Sequence, residues 1–228
     1  MKLFRPGRVF KVPRAWSNKE LRRYAHLFTG DIVNVSGWKD DDKQGGKYRD
    51  YFVGAKTYTI TNYEEKACGF QGADGEISID LDLPIDSSLN RRFDVVFNHT
   101  TLEHVYNTRV AFKSLCDMAR ETVILVVPFL QPFHDGKDGA YGDYWRFSPA
   151  ALQRMFVEHG LTAVHVAWND DWLSSVYVLV VASRSPGRWR DKFPPISRTH
   201  PDNGGVPGSR AIIKLRATIR ELLRRLHG

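Results

Sequence analysis

Two histidines and the residues around them are the first candidates for chemistry in this chain. His104 follows a largely apolar run, and His134 lies in a loop, 129–147, dense in His, Asp, Gly and aromatic residues. Imidazole titrates near neutrality, so either side chain suits the role of general base. Further along, Asp143-Tyr144-Trp145-Arg146-Phe147 admits two uses. In one, aromatic faces stack on sugar rings while Asp143 and Arg146 bind hydroxyls or acidic substituents. In the other, the aromatics clamp the loop onto the core and Arg146 pairs with Asp143 or Glu103. Trp145 and Phe147 suit the clamp; Asp143, Tyr144 and Arg146 are the substrate-binding candidates. A third region, IVNVSGWKDDDK at 32–43, reads as a buried strand running into a loop. A loop that cradles phosphate needs several glycines so that backbone N–H groups can crowd an anion. This one has Gly37 alone, followed by three aspartates that read as a solvated run.

Composition narrows the classes. The chain of 228 residues has 42% hydrophobic and 12% aromatic residues, enough for one sizeable α/β domain with appendages. No apolar run approaches the roughly 20 residues of a membrane span. The N-terminus is basic but lacks the apolar core of a secretory signal. Cys68 and Cys116 stand alone, without metal-ligand spacing, so neither a disulfide framework nor a metal site is expected, and a reducing cytoplasm is.

The elements that must position these residues are legible in outline. Ser17 with Glu20 forms a capping-box signature for a helix over 17–28. Strands are expected at 31–36, 56–62, 76–81, 93–98, 121–128, 162–168 and 174–183, and helices over 101–119 and from Ser148-Pro149 to Gly160. Strands alternating with helices imply a doubly wound, mostly parallel, Rossmann-like α/β sheet. The last two strands are joined by too few residues for a parallel crossover, so they should form an antiparallel hairpin. The domain plan is a basic N-terminal segment and helix (1–28), the α/β domain (29–183), a Pro/Gly/Arg-rich linker (184–209) and a basic amphipathic helix (210–228).

These elements resemble the class I S-adenosylmethionine-dependent methyltransferase family. The stretch ISIDLDLP, then RRFDVVFNHTTLEHV, VPFLQPFH and GDYWRFSP, in that order, carries the resemblance over about 29–183. The last two segments resemble a subgroup associated with polysaccharide and small-molecule methylation. The resemblance implies S-adenosylmethionine as cofactor, bound beyond the carboxyl ends of the strands. It points to Asn34, Ser36, Gly37, Asn62, Asp80, Asn98 and His99 as the cofactor rim, with His104 and His134 as catalytic candidates. Two positions depart from the family pattern. The glycine-rich loop is reduced to Ser36-Gly37, and Asn62 stands where an acid usually grips the ribose.

Charge is unevenly spread. Residues 1–28 carry a net +7 and 184–228 a net +8, whereas 29–183 carry −8. The resemblance implies a carbohydrate or small-molecule acceptor, methylated at oxygen, and the acidic body argues against nucleic acid. Two alternatives stand beside it: a non-catalytic docking or assembly module, motivated by Ser36 and Asn62, and an RNA methyltransferase, motivated by an isoelectric point near 9.4. In 210–226 apolar residues recur every three or four positions between Lys and Arg. Such a helix should dock on the inner face of an anionic membrane, on a partner helix, on its own domain or on a second copy of the chain.

Overall fold

The computed structural model describes residues 6–63, 69–134, 136, 141–169 and 176–196. Cys68, residues 197–209 of the linker and the 210–228 segment lie outside the described residues. The helices are α1 (Pro6–Ala25), α2 (Thr108–Met118) and α3 (Pro149–Glu158). The strands are β1 (Thr29–Val35), β2 (Gly54–Asn62), β3 (Ile77–Ser78), β4 (Phe93–His99), β5 (Ala119–Leu130), β6 (Thr162–Trp168) and β7 (Val176–Ser183).

They form one seven-stranded sheet in the order β3-β2-β1-β4-β5-β7-β6. Strands β1 to β5 pair in parallel, and β7 runs antiparallel to both β5 and β6. The expected doubly wound sheet and its terminal hairpin are both present. The chain fills one half of the sheet outward from β1, then returns to place β4 on the other side of β1. This reversal opens a crevice at the carboxyl ends of β1 and β4, where open α/β sheets bind ligands.

Alternate residues of the central strands enter two separate cores, as the pleat requires. Val33, Val96, Val123, Leu125, Val127, Val178 and Val180 face α2 and α3, meeting Phe112, Leu115, Leu152 and Phe156. Ile32, Phe97, Ile124, Val126, Leu179 and Val181 face the other way, under Leu21, Tyr24 and Phe28 and the late aromatics Trp189 and Phe193. Burial on both faces is why β4, β5 and β7 read as nearly continuous apolar runs.

Three local expectations change. First, α1 starts at Pro6, and Ser17 lies inside it rather than capping it. The Ser17 hydroxyl is fully buried, donates to the Arg14 carbonyl (3.0 Å) and pairs with His99 Nε2 (2.9 Å), so tertiary contacts override the local start signal. Second, helix α2 begins at Thr108, with a 3-10 turn over Leu102–His104 before it. The carbonyls of Glu103, Val105 and Tyr106 accept hydrogen bonds from the 144–145 segment, so they are diverted from a continuous helix. Third, β3 ends at Ser78, because the Asp80 carboxylate accepts the Asp82 N–H (2.8 Å) and turns the chain.

The aspartate run is not solvated, as expected from the sequence, but partly internal. Asp40 and Asp42 are almost fully buried. Asp42 accepts from Arg22 Nη2 (2.8 Å), the Tyr51 hydroxyl (2.6 Å) and the backbone N–H groups of Gln44 and Gly46. Asp40 accepts from Asn34 Nδ2 (2.7 Å), the Tyr58 hydroxyl (2.8 Å) and Arg49 N–H (2.9 Å). These carboxylates hold together the β1–β2 connection, which lacks a long helix.

Candidate functional site

The rim of the crevice begins where β1 stops. Ser36, Trp38 and Asp40 all have left-handed backbone (φ 54°, 49° and 62°), a conformation that costs a non-glycine residue about 1 kcal/mol or more. The turn is held by β2: Ser36 N–H donates to Thr61 Oγ1 (3.2 Å), Gly37 N–H to the Thr61 carbonyl (3.1 Å) and Trp38 N–H to Asn62 Oδ1 (2.6 Å). Gly37 is required by close approach. A Cβ there would stand 2.5 Å from Asn34 Nδ2, whose own bond to Asp40 turns the Asn34 side chain beneath the loop.

At the end of β2 the Asn62 amide is engaged on both sides. It receives the Trp38 N–H, and its Nδ2 donates to the Trp38 carbonyl (3.2 Å) and to Glu76. Glu76 also accepts the N–H groups of Gln71 and Ala73, so a carboxylate does stand beside the β2 end, supplied by a residue the sequence reading missed. Asp80, at the β3 edge, is half-buried with its Oδ1 committed to its own turn.

The end of β4 is more deeply set. Asn98 is fully buried and donates from Nδ2 to the Val35 carbonyl across the β1–β4 boundary (2.9 Å), while its Oδ1 has no hydrogen-bond partner. A buried acceptor without a donor costs about 1–3 kcal/mol, which makes this atom a candidate ligand contact. His99, next along the strand, is spoken for. Its Nδ1 lies 2.9 Å from Arg14 Nη1, which can only donate, so Nδ1 is the acceptor and Nε2 carries the proton towards Ser17 Oγ. Burial, and then the Arg14 charge, hold its pKa well below the usual histidine value. His99 therefore serves as a neutral pin between β4 and α1, reinforced by Arg14 Nη2 to Thr100 Oγ1 (2.8 Å).

Beyond β4 the 3-10 turn and the 131–147 loop meet. Glu103 is completely buried, and neither carboxylate oxygen has a hydrogen-bond partner. Desolvation pushes its pKa up to about 8, countered in part by the Arg14 charge. His104 Nε2 stands 3.7 Å from Glu103 Oε1. On its other side His104 Nδ1 donates to the Gly142 carbonyl (2.6 Å), leaving Nε2 as the lone-pair nitrogen. Burial lowers the His104 pKa, so the ring is neutral at pH 7. The His134 ring lies edge-on to His104, with centroids 5.0 Å apart, and its Nδ1 is 3.0 Å from Asp143 Oδ2. Asp143 is also gripped by the Arg146 guanidinium through both oxygens and by the His134 N–H (2.7 Å).

The structure thus brings His104 and His134 together, with Glu103 beneath them. The contacts of the 143–147 segment differ residue by residue. Phe147 is core, Trp145 Nε1 bonds the Val105 and Tyr106 carbonyls, and the Asp143–Arg146 pair orders the loop. Tyr144 remains exposed, edge-to-face with exposed Tyr106 at 5.4 Å. Exposed Phe133, covered by Arg146 at 4.9 Å, lies on the same loop. Sequence reasoning passed over Glu76, Arg14 and Tyr106 as site residues and named Glu103 only as a possible partner of Arg146, which pairs with Asp143 instead. For Glu103 a signal existed: an acid two residues into a turn that follows a strand buried on both faces.

No protein-family model matches the sequence, and no curated protein matches it either. Solved structures do match in shape. One is a candidate methyltransferase of Bacillus halodurans, 13% identical, covering 73% of this chain and 97% of that one at a TM-score of 0.52. Another is magnesium protoporphyrin IX methyltransferase from Synechocystis with bound S-adenosylmethionine, 10% identical, covering 78% and 82% at 0.53. A third is a candidate methyltransferase of Haloferax volcanii in complex with a methyltransferase activator, 14% identical, covering 76% and 90% at 0.54. With its strand order, antiparallel terminal hairpin and these neighbours, the chain has the Rossmann-like fold of class I S-adenosylmethionine-dependent methyltransferases.

Proposed function

We propose that the chain is an S-adenosylmethionine-dependent methyltransferase acting on a carbohydrate or small-molecule acceptor, at oxygen. The observation that carries this reading is the unpartnered Asn98 Oδ1, buried at the β1–β4 reversal beside the strained Ser36–Trp38 turn. An ammonium donor, such as the one on the methionine part of the cofactor, would satisfy it. Ser36 and Gly37 would supply close backbone approach, the Glu76–Asn62 pair the contact to ribose hydroxyls, and Asp80 the contact near adenine. The cofactor supplies a methyl group already activated by a sulfonium. What remains for the chain is to align the acceptor and to accept its proton. His104 suits the second role, because it is neutral, with Nε2 free of its Nδ1–Gly142 bond. His134 lies against it, oriented by Asp143. Exposed Tyr144 and Tyr106 offer aromatic faces to a sugar-like acceptor. The 210–226 segment would hold the enzyme at an anionic membrane surface on the cytoplasmic side, beside lipid-linked acceptors.

Calorimetric titration with S-adenosylmethionine and its demethylated product tests this directly. Saturable binding is expected, and no detectable heat at millimolar ligand would overturn the reading. One observation favours a second reading, a non-catalytic docking module. The Asn62 amide is closed onto the Trp38 backbone in both directions, at the place where the family grips ribose. A folded protein without cofactor binding would support it, and turnover on any acceptor would remove it.

A further inference from the structure

The Glu103–His104–His134 cluster is unusual as a proton-transfer site because its buried carboxyl is left without a partner. Candidate ligand atoms of the three residues all lie within 4.8 Å of one another, one from each side chain. Ligands at about 2.1 Å from a shared zinc-like ion stand roughly 3.0–3.5 Å apart, so small side-chain rotations would close the set. Two further features match what metal-binding histidines need. His104 Nδ1 donates to the Gly142 carbonyl at 2.6 Å, and a carboxylate oxygen, Asp143 Oδ2, stands 3.0 Å from His134 Nδ1. Carbonyl and carboxylate acceptors of this kind fix the tautomer and raise the basicity of the nitrogen that binds the ion. Independently, Glu103 is a fully buried side chain with both oxygens lacking hydrogen-bond partners, and its carboxylate adjoins the His104 Nε2. The two cations whose charge reaches it are engaged elsewhere, Arg14 with Tyr48, His99 and Thr100, and Arg146 with Asp143.

We propose that Glu103, His104 and His134 form a binding site for a divalent transition-metal ion of the zinc or iron(II) class. Two imidazoles and one carboxylate suit such ions, whereas magnesium and calcium prefer all-oxygen sets. Three protein ligands leave coordination positions open on the cleft side. No ligand spacing announces the site in the sequence, because residues 103–104 and 134 come from different loops. The site stands without the methyltransferase reading. Its use rests on that reading and replaces the general-base role of His104, whose Nε2 lone pair the ion would take up: an acceptor hydroxyl bound to the ion would have a lowered pKa, and its proton would pass to solvent as the methyl group is transferred.

The test is equilibrium dialysis of the full chain, freed of metal with a chelator, against Zn²⁺, with Mg²⁺ as the hard-ion comparison. One equivalent of Zn²⁺ should bind, Mg²⁺ should not compete, and the ring resonances of His104 and His134 should shift together. Asp143→Asn should weaken Zn²⁺ binding about 10- to 100-fold, and Glu103→Gln by at least as much. Should Glu103→Gln fail to unfold cooperatively, His134→Gln, on a partly exposed ring, takes its place. Absence of binding would overturn the site, as would Zn²⁺ binding unaffected by these variants, which would mark other surface histidines as its source. Zn²⁺ binding without cofactor binding would sink the methyltransferase reading and leave the metal site standing; the reverse outcome would do the opposite.

Discussion

At Glu103 desolvation competes with a small number of weak compensations, and desolvation prevails. The carboxyl is fully buried, its two oxygens lack hydrogen-bond partners, and its pKa is raised to about 8. An acid whose folded pKa lies above its unfolded value binds protons more tightly when folded. In the metal-free protein stability should therefore fall as pH rises from about 4.5 to 8, and level off above that. One such group contributes a slope of about 1.4 kcal/mol per pH unit across the window. Glu103→Gln should flatten that component in urea unfolding measured between pH 5 and 8, and saturating Zn²⁺ should flatten it in the native sequence. An unchanged slope in Glu103→Gln would mean that other groups dominate the pH response.

Among the elements, α1 has the most specific attachment. It crosses the outer face of the sheet through Leu21, Tyr24 and Ala25, yet Arg14 and Ser17 direct their polar contacts to the end of β4. Arg14 bonds Tyr48, His99 and Thr100. Arg14→Ala removes these bonds and leaves His99 Nδ1 buried without a strong donor, a loss of about 2–3 kcal/mol. Hydrogen exchange in residues 11–25 should rise more than in β5 or β7, because the helix loosens while the sheet core is untouched. Uniform destabilisation of the whole domain would show instead that α1 and the sheet unfold as one unit. The same attachment ties the N-terminal segment to the crevice, since His99 and Thr100 immediately precede the turn bearing Glu103 and His104.

Across the whole molecule, charge separates body from ends: −8 over 29–183 against +7 and +8 on the flanks. Among the described residues no helix is long and apolar enough to cross a membrane. Each Lys or Arg of a basic end contributes about 1 kcal/mol near anionic lipid, fading within a Debye length. The full chain should co-sediment with phosphatidylserine-containing vesicles at low salt and release at high salt, and a chain ending at Ser209 should remain in solution. Equal behaviour of the two chains would assign the 210–226 segment to packing or self-association.

What could be read from the sequence followed from periodicity and composition. Apolar runs marked β4, β5 and β7, alternation marked β2, and the short link after Trp168 required a hairpin, because these signals depend only on local geometry and burial. His104 and His134 could be named because their residue type is uncommon and chemically specific. The tertiary structure alone decided what their partners are. Ser17 reads locally as a cap and becomes a buried partner of His99, 82 positions away, and Asp40 and Asp42 read as a solvated run and become internal. Glu103 and His134 lie in different loops and meet only when β4 and β5 pair. A side chain's desolvation and its long-range partners are properties of packing, and no local pattern encodes them.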